Sequence, residues 1–451
     1  MALTGIQILK MLPKKNCGEC GIPTCLAFAM KVAAGQTEIG ECPYVSDEVK
    51  EQIGEASAPP IRTVKFGSAE HPFTVGGETC LFRHEKRFEN PTGFAVLVTT
   101  DMGDADVDGR LSRFTSLRYE RVGVMLKADL VAVKDTKGDA AAYTALVQKV
   151  LSGAADAGII LMSDNVETLA AAAKACGDRK PLIYGATLAN ADAFANAAKE
   201  LGCPVGVKGA NVDDTVAISE KLMAAGLKDL IVDTGARTVR AAMEDNVIAR
   251  RAAIKTKYKP LGFPTIAFPC EMTDDAMMEA MIASVLIAKY AGIVVLSDLE
   301  GDMLFPLLLE RLNIFTDPQR PMVVQQDIYP INGPNENSPV LITCNFSLTY
   351  FIVSGEIEGS KVPSWLLIKD TEGLSVLTAW AAGKFGADMI AQFMKKAEIE
   401  SKVKHRELII PGYLASMKGE LEEELAGWTI TIGPREAGHL PAFLKEWKPA
   451  A

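Results

Sequence analysis

The sequence predicts an α/β protein of three domains: a small N-terminal cysteine domain, a central (β/α)8 TIM barrel and a C-terminal open α/β sheet of Rossmann-like build. Three observations predict it. Four cysteines crowd the opening of the chain, eight short apolar runs are each followed by helical periodicity, and a shorter version of the same alternation follows a turn-rich segment.

The opening reads Asn16-Cys17-Gly18-Glu19-Cys20-Gly21-Ile22-Pro23-Thr24-Cys25, answered by Glu41-Cys42-Pro43, a C-x2-C-x4-C-x16-C spacing. Such a spacing lets Cys17, Cys20, Cys25 and Cys42 converge on one inorganic centre, for which a 4Fe-4S cluster is the expectation. Each iron of a cubane needs a thiolate, and the backbone must bend around the cluster while offering amides to its sulfurs. Gly18 and Gly21 permit the dihedrals of that wrap, and Lys14 and Lys15 add positive charge beside an anionic centre. A four-cysteine zinc site is the competing reading. It ordinarily pairs two short cysteine couples, whereas here three ligands share one loop and the fourth stands alone. Met1 to Lys14 has neither a long apolar core nor a cleavage site, so no secretory signal is expected. A reducing, cytoplasmic location follows, and disulfides are disfavoured. The other cysteines, Cys80, Cys176, Cys203, Cys270 and Cys344, are scattered singly and read as core residues.

Two composition shifts set the expected domain limits at 1–57, 58–325 and 326–451. The first is Glu55-Ala56-Ser57-Ala58-Pro59-Pro60; the second is Tyr329 to Pro339, dense in turn formers. Between them the candidate strands are Phe94 to Thr99, Leu130 to Val133, Gly158 to Leu161, Pro181 to Tyr184, Pro204 to Val207, Leu230 to Val232, Thr265 to Phe268 and Ile293 to Leu296. Alanine-rich stretches such as Asn165 to Cys176 and Ala189 to Leu201 supply the helices of a barrel. Ile61 to Phe88, containing Val75-Gly76-Gly77, reads as a hairpin before the first barrel strand. After the eighth strand, Ser297-Asp298-Leu299-Glu300-Gly301-Asp302 offers three carboxylates, but at this spacing in a glycine loop they read as a solvated turn rather than a metal site. Cys270 has no histidine nearby in sequence and reads as structural.

In the last part, Val340 to Asn345, Trp365 to Asp370, Glu407 to Ile410 and Trp428 to Ile432 read as buried strands, with helices near Val376 to Phe385, Ala387 to Lys396 and Tyr413 to Leu425. Ligands of such sheets sit beyond the carboxyl ends of the strands. The loops there are Phe346 to Thr349, Thr371 to Ser375, Pro411 to Tyr413 and Gly433 to Ala437, whose small and hydroxyl-bearing residues suit a large ligand with amide and phosphate groups. Each loop alone also reads as an ordinary turn.

The 451 residues carry 57 acidic and 47 basic side chains, a net charge of −10. That balance argues against nucleic acid or an anionic membrane as partner. The apolar stretches are interrupted by charges such as Lys289, and no segment reaches transmembrane length.

Taken together, KKNCGECGIPTCLAFAMK, YPINGPNENSPVLITCNFSLTYFIVSGEIE, VPSWLLIKDTEGLSVLTAWAAGKF, LIIPGYLASMKGELEEEL and WTITIGPREAG resemble the large subunit of the corrinoid iron-sulfur protein of the reductive acetyl-CoA (Wood-Ljungdahl) pathway, over the whole chain. The resemblance implies a cluster domain, a barrel and a corrinoid-binding domain. It matches Cys17, Cys20, Cys25 and Cys42 to the cluster ligands. It places Thr343, Asn345, Phe346, Thr349, Thr371, Glu372, Gly373, Leu374, Ser375, Thr378, Gly412, Gly433 and Pro434 in the segments that hold the corrinoid. No catalytic side chain is implied. The implied function is methyl carriage: Co(I) takes a methyl group from methyltetrahydrofolate on a separate methyltransferase, methyl-Co(III) passes it to acetyl-CoA synthase, and the cluster returns Co(II) to Co(I). The implied partners are a small subunit forming a heterodimer, those two enzymes, and a reductive activator or ferredoxin. None of His71, His84, His405 or His439 sits in a D-x-H-x-x-G motif, so a base-off corrinoid without a histidine ligand is expected, which eases reduction to Co(I). Two rivals stand beside this reading: an iron-sulfur electron carrier whose C-terminal domain binds a flavin, and a barrel methyltransferase that binds the pterin itself.

Overall fold

The computed structural model describes residues 3–33, 36–121, 124–319 and 321–449. The chain forms two compact units, one of Met1–Arg118 with Lys127–Phe315, the other of Tyr119–Leu126 with Thr316–Ala451.

The first unit opens with helices Gly5–Met11, Cys25–Ala33 and Asp47–Ser57. Thr4 and Gln7 form a reciprocal capping box, and the Ser46 side chain caps the third helix. Ile8, Leu12, Phe28, Val32 and Ile53 build a small core that also takes in Cys42.

The barrel strands are β1 (Gly93–Thr99), β2 (Leu130–Lys134), β3 (Gly158–Met162), β4 (Leu182–Ala186), β5 (Val205–Lys208), β6 (Leu230–Asp233), β7 (Thr265–Ala267) and β8 (Ala291–Leu296). All are parallel and close in chain order, β8 pairing with β1. Each expected strand is present, its ends moved by a residue or two. Helix starts follow from local chemistry: Asp139, Asn165, Asn211, Thr238 and Asp275 each cap a helix by accepting backbone N–H groups of its first turn.

The hairpin expected before β1 is present, pairing Val64–Gly67 with Pro72–Val75 and turning at Ser68 to His71. Its Val64, Phe66, Phe73 and Val75 join the interior core of the barrel. Glycines make the room. A Cβ on Gly93 would lie 2.4 Å from the Phe73 ring, and one on Gly292 would lie 2.8 Å from Val75. Arg250, buried and ion-paired to Glu78 at 2.9 Å, fastens the segment after the hairpin. The cost of burying the Glu78 carboxylate raises its pKa despite that pairing.

The second unit is a five-stranded sheet of β9 (Asp327–Ile331), β10 (Val340–Cys344), β11 (Ser364–Lys369), β12 (Glu407–Ile410) and β13 (Thr429–Ile432), in the order β9-β11-β10-β12-β13. β10 to β13 are parallel, and β9 runs antiparallel along β11. Val340, Ile342, Leu367, Leu408 and Ile410 face one core with Phe385, Ile390 and Leu421; Leu341, Leu366, Ile368 and Ile409 face another with Ile357, Leu440 and Leu444. Helices thus cover both faces, which is why these strands read as continuous apolar runs.

Five details differ from expectation. β9 was not foreseen and takes up Tyr329 to Ile331, so the turn-rich segment begins only at Asn332 and Gly333, both at positive φ. Phe346 to Thr349 is the opening of a helix, Ser347–Ser360, rather than a loop. The helix near Val376 ends at Ala381, before Gly383 at φ 71°, and the one after Pro411 is a 3-10 turn, Gly412–Met417, followed by Lys418–Glu424. A short antiparallel ribbon, Tyr119–Arg121 with Val124–Leu126, belongs to this unit, where Arg121 lies over the Phe351 ring. Among the described residues no helix is long and apolar enough to cross a membrane.

Candidate functional site

Two constellations carry the expected chemistry. In the first, the chain between the opening helices turns through Lys14, Asn16, Gly18 and Gly21, all at positive φ. The Asn16 N–H donates to Cys25 Sγ at 3.3 Å while Asn16 Oδ1 accepts the Cys25 N–H at 2.8 Å. Tyr44 ties this loop to the segment after Cys42. Its hydroxyl donates to Glu19 at 2.8 Å, and Lys15 Nζ sits 3.5 Å from its ring centre. The Glu19 hydrogen bond, then the Glu19 charge, raises the Tyr44 pKa. Cys42 is buried, Cys20 and Cys25 half-buried, Cys17 exposed. Among the described residues no three His, Cys, Asp or Glu side chains stand grouped at metal-binding spacing. The donor set still suits an iron-sulfur centre: thiols on a glycine-bent loop, one already accepting a backbone amide.

The second lies at the carboxyl edge of the C-terminal sheet. β11 follows β10 on one side, whereas β12 lies on β10's other side, so the chain reverses its direction of travel between β10 and β12. Open α/β sheets bind ligands at such a point. A cleft of about 340 Å³ opens there. Its walls are Leu341 and Ile342 of β10, Ile409 and Ile410 of β12, and Ile352 and Val353 of the helix Ser347–Ser360; Gly433 to Gly438 close its far side. Apolar walls with a few polar groups at the rim are the usual make-up of a cofactor site.

Of the expected corrinoid segment, Thr343, Thr349, Gly433 and Pro434 line the cleft, and buried Gly412 lies between cleft-lining Pro411 and Tyr413. Gly412 is where two backbones meet, for a Cβ there would lie 2.5 Å from the Gly433 carbonyl oxygen. Asn345, Thr371, Gly373 and Leu374 form a knot beside it. Asn345 Oδ1 accepts the backbone N–H of Thr371 at 3.0 Å and of Gly373 at 3.1 Å, and the Thr371 hydroxyl lies within reach of both Asn345 Oδ1 and the Leu374 carbonyl. Ser375 and Thr378 share a hydrogen bond of 3.0 Å, exposed Glu372 pairs with Lys384, and Phe346 bridges to Val323. Sequence reasoning passed over Ile352, Val353 and Leu440 as cleft walls, while Tyr413 falls in the expected loop Pro411 to Tyr413. The helix that carries Ile352 and Val353 gave no usable signal, because its apolar residues point to no single face.

His405 precedes β12, at the opposite edge of the sheet, with its ring against the Ser338 carbonyl; His439 is exposed and is not a lining residue.

The barrel's carboxyl-end face is occupied by its own ion pairs. Asp233 accepts from the Tyr184 hydroxyl at 2.6 Å and from Arg237 at 2.9 Å, and Glu271 bridges Arg237 and Lys134. The three carboxylates after β8 do not converge: Asp298 pairs with Arg113 at 2.5 Å, and Glu300 and Asp302 are exposed at the start of the helix Gly301–Phe315. Burial pushes the Cys270 thiol up to about 12, as befits a structural cysteine.

The CO dehydrogenase/acetyl-CoA synthase delta subunit family matches residues 63–444, and an Fe-S cluster family matches residues 12–44. The chain is 43% identical over 445 residues to the corrinoid/iron-sulfur protein large subunit of Moorella thermoacetica, with 99% of each chain covered. It is 34% identical to the acetyl-CoA decarbonylase/synthase complex subunit gamma of Methanopyrus kandleri and 34% identical to that of Archaeoglobus fulgidus, with 98% of each chain covered in both cases. With a glycine-bent cysteine loop at one end and a switch-point cleft at the other, the chain belongs to the family of corrinoid/iron-sulfur protein large subunits and acetyl-CoA decarbonylase/synthase gamma subunits.

Proposed function

We propose that this protein is a methyl carrier whose C-terminal cleft holds a corrinoid and whose Cys17, Cys20, Cys25 and Cys42 hold a 4Fe-4S cluster. The observation that carries the reading is the cleft between β10 and β12, in a chain similar from end to end to a corrinoid/iron-sulfur protein. When bound, the corrinoid supplies a cobalt nucleophile that takes a methyl group from methyltetrahydrofolate on a methyltransferase and yields it to acetyl-CoA synthase. The side chains named above do the holding. Thr343 and Thr349 offer hydroxyls to the corrinoid's amides, the Asn345 knot fixes the backbone of Thr371 to Leu374, and the contact of Gly412 with Gly433 keeps the cleft open at its floor. Ser375 and Thr378 present hydroxyls and no imidazole, which agrees with a base-off cobalt. Asn16 and the glycine loop orient thiolates for the cluster, whose task is to restore the reduced metal. The small subunit of the family, a heterodimer partner, and a reductive activator or ferredoxin complete the system, and the working domain limits are 1–57, 58–325 and 326–451.

The test is an anaerobic preparation assayed for metals and for its visible spectrum. Cobalt, roughly four irons per chain and corrin bands are expected. Flavin bands without cobalt overturn the reading in favour of an electron carrier, and folate binding by the chain alone favours a barrel methyltransferase.

A further inference from the structure

We propose that Arg435 grips the phosphodiester of the corrinoid's nucleotide arm and thereby selects complete corrinoids over truncated ones. This rests on the corrinoid reading above and goes beyond it to one side chain and one part of the ligand.

The argument starts from charge. Among the cleft-lining residues Arg435 is the one cation and Glu436 the one anion. Glu436 is engaged, accepting the Tyr413 hydroxyl at 2.9 Å. Arg435 has no carboxylate partner among the described residues. Its guanidinium instead lies 5.9 Å from the centre of the Tyr413 ring, held over the aromatic face at the cleft mouth. The same tyrosine thus touches both charged residues of the cleft. A guanidinium so placed presents a planar fork of donors suited to phosphate oxygens.

The ligand has one matching group. The macrocycle of a corrinoid is ringed by neutral amides, whereas the arm that leaves it carries an anionic phosphodiester, a ribose and a flat base. The cleft offers the corresponding surfaces: the exposed Arg435 cation, and the aliphatic side chains of Ile352, Ile409 and Ile410. A flat base filling aliphatic walls leaves the phosphate at the rim, where the cation stands.

The experiment uses the full chain co-expressed with the small subunit in corrinoid-free cells, titrated by absorbance with cobalamin, cobinamide phosphate and cobinamide. The wild type should bind the two phosphate-bearing ligands more tightly than cobinamide. Arg435→Gln should weaken both by roughly tenfold or more and leave cobinamide unchanged, which also shows that the variant is folded. Arg435→Lys should recover part of the loss. Equal wild-type affinity for cobinamide and cobinamide phosphate overturns the assignment while leaving the corrinoid reading intact, as does an equal loss for all three ligands in Arg435→Gln. Binding of none of the three by the wild type overturns both.

Discussion

The side-chain carbonyl of Asn345, just past the end of β10, accepts the backbone N–H of Thr371, just past the end of β11, at 3.0 Å. One buried amide therefore ties together two neighbouring strand ends at the carboxyl edge, and its Nδ2 donates to Asp370 at 2.8 Å. Replacing Asn345 by Ala leaves the Thr371 and Gly373 amides without their acceptor. A loss of roughly 2 kcal/mol is expected, the usual cost of unsatisfied buried donors, read by chemical denaturation of the holoprotein. Asn345→Asp keeps the acceptor but sets a second carboxylate against Asp370, so it too should destabilise, by an amount that shrinks as the pH falls. An Asn345→Ala variant as stable as the wild type would remove the knot from the account of the site.

Gly412 supplies a second handle on the cleft. Added bulk there meets the Gly433 carbonyl at 2.5 Å and the Arg435 nitrogen at 2.8 Å, both backbone atoms that belong to the far wall. Gly412→Ala should push β12 and β13 apart at their carboxyl ends, costing about 1–3 kcal/mol as overpacking does and lowering corrinoid content. Gly419, which has nothing within 4 Å of its would-be Cβ, is the control. Equal corrinoid content in Gly412→Ala and Gly419→Ala contradicts the proposed role.

The eight barrel strands were legible because each is buried on both sides and bounded by turn or cap residues, as β3 is: Gly158–Met162 is wholly buried and is followed by the Asn165 cap. β9 was not, because Asp327–Ile331 is an exposed edge strand containing Pro330, and such strands lack the apolar run that marks the interior. The bent course of the cysteine loop could be read from Gly18 and Gly21, both at positive φ. The cleft could be read only in outline. Loop composition located Gly412 and Gly433, but the walls come from Ile352 and Val353, on a helix whose apolar residues point to no single face. The pairing of Tyr413 with Glu436 spans 23 positions in sequence and has no local signature.

Leu348, Ile352, Leu377, Trp380, Tyr413 and Ile432 are all exposed, and each lies on or beside an element that begins or ends at the carboxyl edge of the C-terminal sheet. An apolar rim of this kind marks a surface that is covered in use. Co-expression with the small subunit should give a heterodimer of one copy each, as measured by light scattering, with an interface of ordinary stable size. Trp380→Glu should weaken that association. A monodisperse, cobalt-loaded large subunit alone would count against an obligate partner.

Cys20 tests the cluster without touching the cleft. Cys20→Ala should abolish the reduced-cluster EPR signal and lower iron while leaving cobalt bound, because the two sites rest on separate cores. Zinc in place of iron in an anaerobic wild-type preparation would defeat the cluster assignment. The variant should still carry methyl groups when the cobalt is reduced chemically, yet fail to recover after oxidation.

The lower face of the cobalt gives the last prediction. Thr371 to Thr378 holds the hydroxyls of Thr371, Ser375 and Thr378 and no imidazole, and the ring of His405 is engaged with the Ser338 carbonyl at the other edge of the sheet. The Co(II) state should therefore show no nitrogen superhyperfine splitting in its EPR spectrum. Triplet splitting in the wild type would exclude the base-off proposal outright. Thr378→His, on the exposed side of the first turn of Val376–Ala381, should introduce that splitting if the loop lies under the metal, and should make Co(II) harder to reduce. Since about 59 mV corresponds to a tenfold change for one electron, even a weak axial bond should slow reactivation through the cluster measurably. An unsplit spectrum and an unchanged potential in both Thr378→His and Ser375→His would place the cobalt away from this loop.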